Sequence, residues 1–509
     1  KVCGQVNQLS LEEQKEEMKK YEYEEEEHEH DPLPDLHEAE EGEVVVRFAP
    51  NPNGPPHMGS ARGMVINGEL KQKYDGELVL RFDDTDPRNK RPLPEAYEMY
   101  QEDYEWLGYD VDRVVHSSKQ FDNYIEKAEE LIEMNKAYVC ECPPEKAREL
   151  RAEGEPCEHR DQSVEENKEK WERMREVQLE ESFNEGDAVL KIKTDIEHKN
   201  PAIRDFVAFR IIEEADHPIT GDKYRVWPLL DFAGAIEDHT IGTTHIVRGK
   251  DLRASTERQK YVYDYLGWEY PEVRYWGTIR ISGFDAPMST STLGEMIEKD
   301  ELEGWDDPRA PTVSALRRRG FQPEAIREFF IDMGVTESEI EASVETLESH
   351  NRDVIDDEAN RYFFVRDPVE IEIENLPDEV KAEMPLHPNF DHRGMRRPEL
   401  KRNGSVKVVI EENDLEDGFL RLKGLCNLEI DGKTAEYVEG DHTVAVEKDA
   451  PIIHWAPADS PEAKVKMPDG NSHEGKVETS EIGIGEVVQF ERFGFARKDS
   501  ENVFLYTHT

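Results

Sequence analysis

From Val44 to Leu70 the chain permits few conformations. A β-branched run, Val44-Val45-Val46, gives way to the Pro/Gly-rich stretch Arg47-Phe48-Ala49-Pro50-Asn51-Pro52-Asn53-Gly54-Pro55-Pro56-His57-Met58-Gly59-Ser60-Ala61-Arg62, after which Met64, Val65, Ile66 and Leu70 recur at helical spacing. The pattern predicts a strand, a turn and the N-terminus of a helix. Backbone N–H groups left unpaired in a first helical turn, together with the positive end of the helix dipole, favour an anion. The stretch therefore predicts a phosphate seat, with His57 as a donor to a phosphate oxygen. Gly59 would let a nucleotide base lie against the backbone without a Cβ in the way.

A second apolar strand, Leu78-Val79-Leu80-Arg81-Phe82, follows the helix. Two strands joined by a helix form a right-handed parallel βαβ unit, and such units bind ligands beyond the carboxyl ends of their strands. At that end stands Asp83-Asp84-Thr85-Asp86-Pro87. Carboxylates beside a phosphate seat suit a substrate that also carries a cation; the alternative is a cluster that only caps the strand end.

The 509-residue length accommodates roughly three or four domains. No apolar run approaches the ~18 residues of a membrane span, and mean hydropathy is -0.83, so a soluble chain with no membrane partner is expected. The chain starts at Lys1 without a charged-then-apolar leader, which predicts a trimmed N-terminus, no secretory signal and a cytoplasmic location. Asp and Glu number 116 against 64 Lys and Arg, a net charge of -52. Self-repulsion of that size is costly in dilute buffer but largely disappears at ~1 M salt, where the Debye length is ~3 Å. A halophilic host is expected, and the regular recurrence of apolar and aromatic residues argues against a disordered acidic chain. Nucleic-acid binding needs Lys and Arg, which here cluster as Arg317-Arg318-Arg319, then Arg393, Arg396, Arg397, Lys401 and Arg402. Such patches either hold RNA on an acidic body or pair with neighbouring acids.

Between about Lys119 and Tyr224 long charged helices precede the alternating run Ala188-Val189-Leu190-Lys191-Ile192. Within this region Cys140-x-Cys142 and Cys157-x-His159 supply four soft ligands in two close pairs, which suits tetrahedral zinc; free thiols in a reduced cytoplasm are the alternative. Such a metal would be structural, since no position remains for a reactive water. Cys3 and Cys426 lack partners, so no disulfide is expected. From about Tyr362 short strands alternate with Gly, Asp and Asn turns, which predicts β-barrels.

Together these stretches resemble the archaeal-type glutamyl-tRNA synthetases, within the glutamyl/glutaminyl group of class I aminoacyl-tRNA synthetases. Residues 47–59 are similar to that group's long HIGH signature, R-F-A-P-x-P-x-G-x-x-H-x-G, with Ser60 where many members have a second His. Residues 80–87 resemble L-R-F-D-D-T-D-P, residues 227–232 resemble W/Y-P-x-x-D-F with Leu230 in place of a Tyr, and residues 238–249 resemble D-H-x-x-G-x-T-H-x-x-R-G. The segment 282–292 takes the place of the KMSKS loop, but Pro287 and Thr290 stand where its lysines would be. Gly304-Trp305-Asp306-Asp307-Pro308-Arg309 and Leu316-Arg317-Arg318-Arg319-Gly320 resemble the group's helical stem. Ile452-Ile453-His454-Trp455 and the run 488–494 resemble the barrels that separate glutaminyl and archaeal-eukaryotic glutamyl enzymes from bacterial glutamyl ones. The likeness covers about residues 43–509.

The resemblance implies a multidomain α/β fold. An acidic N-terminal remnant and linker (1–42) would precede a Rossmann-like class I synthetase catalytic domain in two halves (43–118 and 225–300). Between the halves would lie an inserted tRNA acceptor-binding domain with the zinc site (119–224), and after them a helical stem (301–361) and C-terminal all-β barrels that bind the anticodon (362–509). The implied activity is ATP-dependent activation of L-glutamate to glutamyl-adenylate, with Mg²⁺, and transfer to tRNA(Glu) by a monomer; whether tRNA(Gln) is charged too is left open. Carried onto this chain, His57, Gly59, Ser60, Ser289 and Ser291 serve catalysis. Pro50, Gly54, His57, Gly59, Met288, Ser289, Thr290 and Ser291 hold ATP. Arg47 and Arg248 take the γ-carboxylate of glutamate and Asp83 its ammonium group, while Arg317, Arg318, Arg319, Arg396 and Arg397 contact tRNA, the last two at the anticodon. Two rivals stay open. A glutaminyl enzyme shares most motifs, although Arg248 argues against it because a guanidinium holds a carboxylate bidentately; a non-catalytic tRNA-binding relative is favoured by the lysine-free loop.

Overall fold

The computed structural model describes residues 33, 35–176, 181–402 and 404–509. Cys3 and the acidic tract from Tyr21 to His30 lie outside these residues. The β-branched opening run becomes β1 (Val45–Phe48), followed by α1 (Met58–Lys73), β2 (Glu77–Phe82), α2 (Ala96–Trp106) and β3 (Arg113–His116). The chain then leaves this sheet. Helix α3 (Phe121–Glu133), β4 (Ala137–Cys140), α4 (Pro144–Glu153), α5 (Val164–Arg175), β5 (Val189–Ile192), β6 (Phe206–Ile211) and β7 (Val226–Pro228) build a separate, antiparallel four-stranded sheet with its helices. The return runs through α6 (Leu230–Thr240) into β8 (His245–Gly249), α7 (Arg253–Leu266) and β9 (Glu272–Trp276).

The first sheet is parallel throughout, in the order β3-β2-β1-β8-β9. Its winding reverses between β1 and β8, and the crevice beyond the carboxyl ends at such a switch point is where doubly wound sheets bind ligands. The insertion ends later than expected. Val226 pairs with Ile211 in the antiparallel sheet, and Phe121, Trp171, Phe209 and Trp227 share one core with Phe232, Ile236 and Tyr263 of α6 and α7. The apolar Val-Trp-Pro run is thus consumed by the insertion's sheet, and the two units meet on a common hydrophobic face.

Register places three arginines on one side of the parallel sheet. Val79 lies level with Arg47, so Arg81 is two residues further along β2. His245 lies level with Val46, so Arg248 is two residues beyond the position level with Arg47 on β8. Side chains alternate with period two. Arg47, Arg81 and Arg248 therefore project from the same face, near the carboxyl ends of three adjacent strands.

Beyond β9 come β10 (Ile279–Ser282), α8 (Thr290–Glu298), α9 (Val313–Arg319), α10 (Pro323–Met333), β11 (Ile340–Ser343) and α11 (Val344–Ile355). Leu316, Phe321, Ile326, Phe329 and Phe330 join the same core as Val46, Met64, Ile66 and Leu80, so these helices pack as part of the body built on the parallel sheet. The remaining chain forms two seven-stranded sheets. In one, Asn360–Tyr362 and Phe364–Arg366 lie at opposite ends of the strand order although a single residue separates them. In the other, Ile452–Ile453 and Ala456–Pro457 do the same. Strands so close in sequence can bound a seven-stranded sheet only if the sheet curls back on itself, the geometry expected of barrels.

Candidate active site at the strand carboxyl ends

His57 is the N-cap of α1. Its Nδ1 accepts the Gly59 backbone N–H at 3.0 Å, which satisfies one of the orphan donors of the helix start and leaves the proton of the neutral ring on Nε2. Burial lowers the pKa of His57, so the ring stays a neutral donor through Nε2. Gly59 also has a task within the fold. A Cβ there would come within 2.8 Å of His57 Cε1 and 3.0 Å of Nδ1, so glycine makes room for the folded-back imidazole. Ser60 stands beside the Tyr100 hydroxyl. Two backbone bonds, Met58 N–H to Pro311 O at 2.9 Å and Val313 N–H to Pro56 O at 3.0 Å, fasten the turn to the start of α9.

The three arginines on the sheet meet an ordered set of partners. Asp238 of α6 accepts Arg47 Nε at 2.9 Å and Arg81 Nη1 at 2.7 Å on the same oxygen. Arg81 also donates to Asp83, at 2.7 Å from Nε and 3.2 Å from Nη2. Burial acts to raise the Asp238 pKa, but Arg47 and Arg81, with Arg248 behind them, hold it at about 2. For Arg81, Asp83 and Asp238 outweigh burial and keep its pKa well above the usual value. Neighbouring Glu237, which accepts the Tyr124 hydroxyl at 2.8 Å, is pushed up to about 7 by burial. Asp83 thus stands where the sequence placed it, but its carboxylate is already held by Arg81. Arg248 differs from its companions. It is buried at 6 % exposure and donates only to neutral groups: Gln259 Oε1 at 3.1 Å from both Nη atoms, and the Tyr270 hydroxyl at 2.6 Å. Among the described residues it has no carboxylate partner.

The lysine-free loop sits against the first signature turn. Ser289 caps α8, accepting the Thr292 N–H at 3.4 Å and the Thr292 hydroxyl at 3.0 Å, so its oxygen is committed to the helix start. Ser291 is exposed, and Met288 packs on the main core. Pro50 anchors the neighbouring loop, its carbonyl accepting the Asp83 N–H at 2.9 Å. A Cβ on Gly54 would lie 2.2 Å from Thr290 Cγ2 and 3.0 Å from Trp305 Cη2. Glycine at 54 is what lets the two loops touch.

This geometry can be set beside known proteins. The family described as tRNA synthetases class I (E and Q), catalytic domain, matches residues 43–357. The chain belongs to the class I tRNA synthetases of the E and Q group. The anti-codon binding domain of the same group matches residues 359–447. Curated relatives named "Glutamate--tRNA ligase" are 50% identical over 483 residues in Archaeoglobus fulgidus (94% of this chain, 85% of the relative). The corresponding figures are 49% over 485 residues in Methanosarcina acetivorans (93% and 83%) and 45% over 529 residues in Pyrococcus horikoshii (100% and 91%).

In this class I synthetase the four expected zinc ligands converge. Their ligand atoms all lie within 4.8 Å of one another, with Cys140 Sγ to Cys157 Sγ at 3.8 Å and Cys142 Sγ to His159 Nδ1 at 3.4 Å. The edge of a tetrahedron built on ~2.3 Å zinc–sulfur bonds is ~3.8 Å, so the donors fit that ion. His159 Nε2 faces Glu141 at 3.8 Å, the kind of carboxylate that orients a ligating imidazole from behind.

The basic clusters require correction. Arg319 is buried and donates to the Tyr506 and Thr507 carbonyls at 3.2 and 2.7 Å; it is a strut between α9 and the last strand, not an RNA contact. Arg318 is held by both oxygens of Asp499, at 2.9 and 2.8 Å. Arg396 is buried over the Phe363 ring at 4.2 Å and pairs with Glu478 and Glu491, so it presents no free charge. Arg317 and Arg397 are exposed, although Arg397 pairs with Glu383. Pairing with acids accounts for most of these clusters.

Arg81, Asp238, Gln259 and Tyr270 carried no functional expectation. For Arg81 a signal existed: Val-Leu-Arg-Phe at 79–82 repeats the pattern of Val-Val-Arg-Phe at 45–48 and Ile-Val-Arg-Gly at 246–249. Asp238 opens the motif at 238–249, which marked the residue without its partners; Gln259 and Tyr270 lie on a helix and a loop whose approach to the sheet has no local sequence mark.

Proposed function

We propose that the chain is a glutamate–tRNA ligase. The α-carboxylate of glutamate attacks the α-phosphorus of ATP and displaces pyrophosphate; a hydroxyl of the terminal ribose of tRNA(Glu) then takes the glutamyl group and releases AMP. The observation that carries the reading is Arg248. Buried charges are normally paired, and among the described residues the carboxylates that hydrogen-bond Arg47, Arg81 and Arg248 are Asp83 and Asp238, with Glu237 acting on Arg81 from farther off and none bonded to Arg248. The side chain of glutamate supplies the missing charge, and glutamine does not. Arg47, shared with Asp238, lines the same face and assists. His57 Nε2 and the start of α1 supply donors where negative charge grows on the phosphate, and Mg²⁺ carried with ATP shields the triphosphate. With no lysine in the 287–291 loop, the N-terminus of α8 meets the phosphates through backbone amides.

Cys140, Cys142, Cys157 and His159 hold a structural zinc in the inserted domain, which grips the acceptor end, while the C-terminal barrels read the anticodon with Arg397 at their surface. The charge of -52 fits a halophilic host, and the archaeal relatives support an archaeal one, in whose cytoplasm a tRNA ligase works. Aminoacylation of purified tRNA(Glu) and tRNA(Gln) in molar KCl, with glutamate and with glutamine, tests the whole. Glutamylation of tRNA(Glu) is expected. Glutaminylation instead, or RNA binding without any aminoacylated product, would overturn it.

A further inference from the structure

Arg47 and Arg81 are oriented by carboxylates, yet Arg248 is oriented by an amide. Gln259, on α7 and buried, accepts three hydrogen bonds on Oε1: from Arg248 Nη1 and Nη2 at 3.1 Å each, and from the Tyr270 hydroxyl at 2.7 Å. A guanidinium can only donate, so the amide orientation is settled by chemistry, with oxygen toward Arg248 and nitrogen away. On that far side Nε2 lies 2.9 Å from the point that a Cβ on Gly234 would occupy, and Arg81 Nη2 lies 3.7 Å from the same point. Among the described residues Nε2 has no hydrogen-bond acceptor. Gln259 therefore spans the space between the unpaired Arg248 and the neutralised Arg81–Asp238 pair.

A carboxylate at this position would hold the guanidinium fork more strongly than an amide does, and it would also cancel the charge. The amide gives orientation without neutralisation. We propose that Gln259 is the positioning residue that sets which side-chain charge the site accepts: by fixing Arg248 through a neutral oxygen it keeps one full positive charge for the substrate. The proposal rests on the reading of Arg248 as receptor of the γ-carboxylate. It assigns to Gln259 no contact with the reacting atoms.

The isosteric variant Gln259→Glu is the direct test, read as kcat and KM for glutamate and for glutamine in aminoacylation of purified tRNA by the full chain. The KM for glutamate is expected to rise on the order of 10²-fold, the scale of leaving one buried charge without compensation. The kcat at saturation should change far less, and the preference for glutamate over glutamine should collapse. Gln259→Met keeps the volume and removes the oxygen without adding charge. It is expected to raise KM for glutamate while the preference for glutamate persists, which a purely structural role would not produce. An unchanged preference in Gln259→Glu, a preference lost equally in both variants, or an unchanged KM in Gln259→Met overturns the proposal. Should Gln259→Glu fail to fold, the Gln259→Met result decides. Arg248→Ala separates the two levels: if it leaves KM for glutamate unchanged, the underlying reading fails, whereas a raised KM with an insensitive Gln259 removes only this inference.

Discussion

Gly54 lies directly against Thr290, with room for no atom between its Cα and the threonine methyl: a Cβ would come within 2.2 Å. Contact between the first signature turn and the lysine-free loop therefore depends on a missing side chain. Gly54→Ala is expected to push the 287–291 loop outward and lower kcat on the order of 10²-fold, as small misplacements of positioning groups do. The melting temperature should fall less than the activity, because the closest clash is with the end of the Thr290 side chain and the Trp305 ring needs to shift by only a few tenths of an ångström. Steady-state kinetics with a thermal melt checks both halves of the expectation.

His57→Ala removes the Nε2 donor and also the cap on the Gly59 N–H. A rate loss of ~10²–10³-fold in aminoacylation is expected, typical of deleting one preorganised donor. His57→Asn keeps a capping oxygen and should recover helix stability without recovering the rate; full recovery of rate would take the imidazole out of the chemistry.

Asp238 has a folded-state pKa of about 2 against an ordinary 3.8. A depressed carboxylate pKa contributes stability above the unfolded value, and that contribution is lost as pH falls through the folded value. The difference corresponds to roughly 2 kcal/mol. Asp238→Asn should therefore destabilise the protein at neutral pH and flatten the part of its acid unfolding curve between 3.8 and 2. It should also raise KM for glutamate, since Arg47 and Arg81 lose their shared anchor. Urea unfolding across that pH range is the measurement.

Metal analysis of the purified chain is expected to find one zinc per molecule, lost on Cys142→Ser or strong chelation. Loss should lower the melting temperature and weaken tRNA binding while glutamate affinity is retained, because the four donors lie in the insertion and not beside Arg248.

Arg319→Ala and Arg317→Ala should fail in opposite ways. The first leaves the Tyr506 and Thr507 carbonyls without their buried donor and is expected to cost about 2–4 kcal/mol of stability. The second, an exposed residue over the Trp106 ring at 5.9 Å, should change stability by no more than ~0.5 kcal/mol yet reduce the salt slope of tRNA binding by roughly one.

Local chemistry was legible in the sequence wherever the answer depends on neighbours along the chain. The strand–turn–helix at 44–70 needs only its prolines and helical spacing, and the four zinc donors come in two short pairs. Opposing partners were not legible. Arg318 finds Asp499 across 181 positions and Arg396 finds Glu478 across 82, so a run of arginines looked like an RNA surface when its acids were elsewhere. The same limit hid Gln259 and the partners of Asp238, because both residues reach the arginines only after α6 and α7 fold onto the sheet. Gly59 illustrates a third case, in which the need for a missing Cβ was legible but the His57 ring that also requires it was not.

The insertion's last strand runs without a break into the helix that carries Asp238, and Trp227, Phe232 and Ile236 bury themselves among residues drawn from both units. Excising 119–224 as though it were a detachable module would strip the hydrophobic backing from α6 and let Asp238 drift from its two arginines. A truncation intended to abolish only the grip on RNA would then blunt recognition of the free amino acid as well.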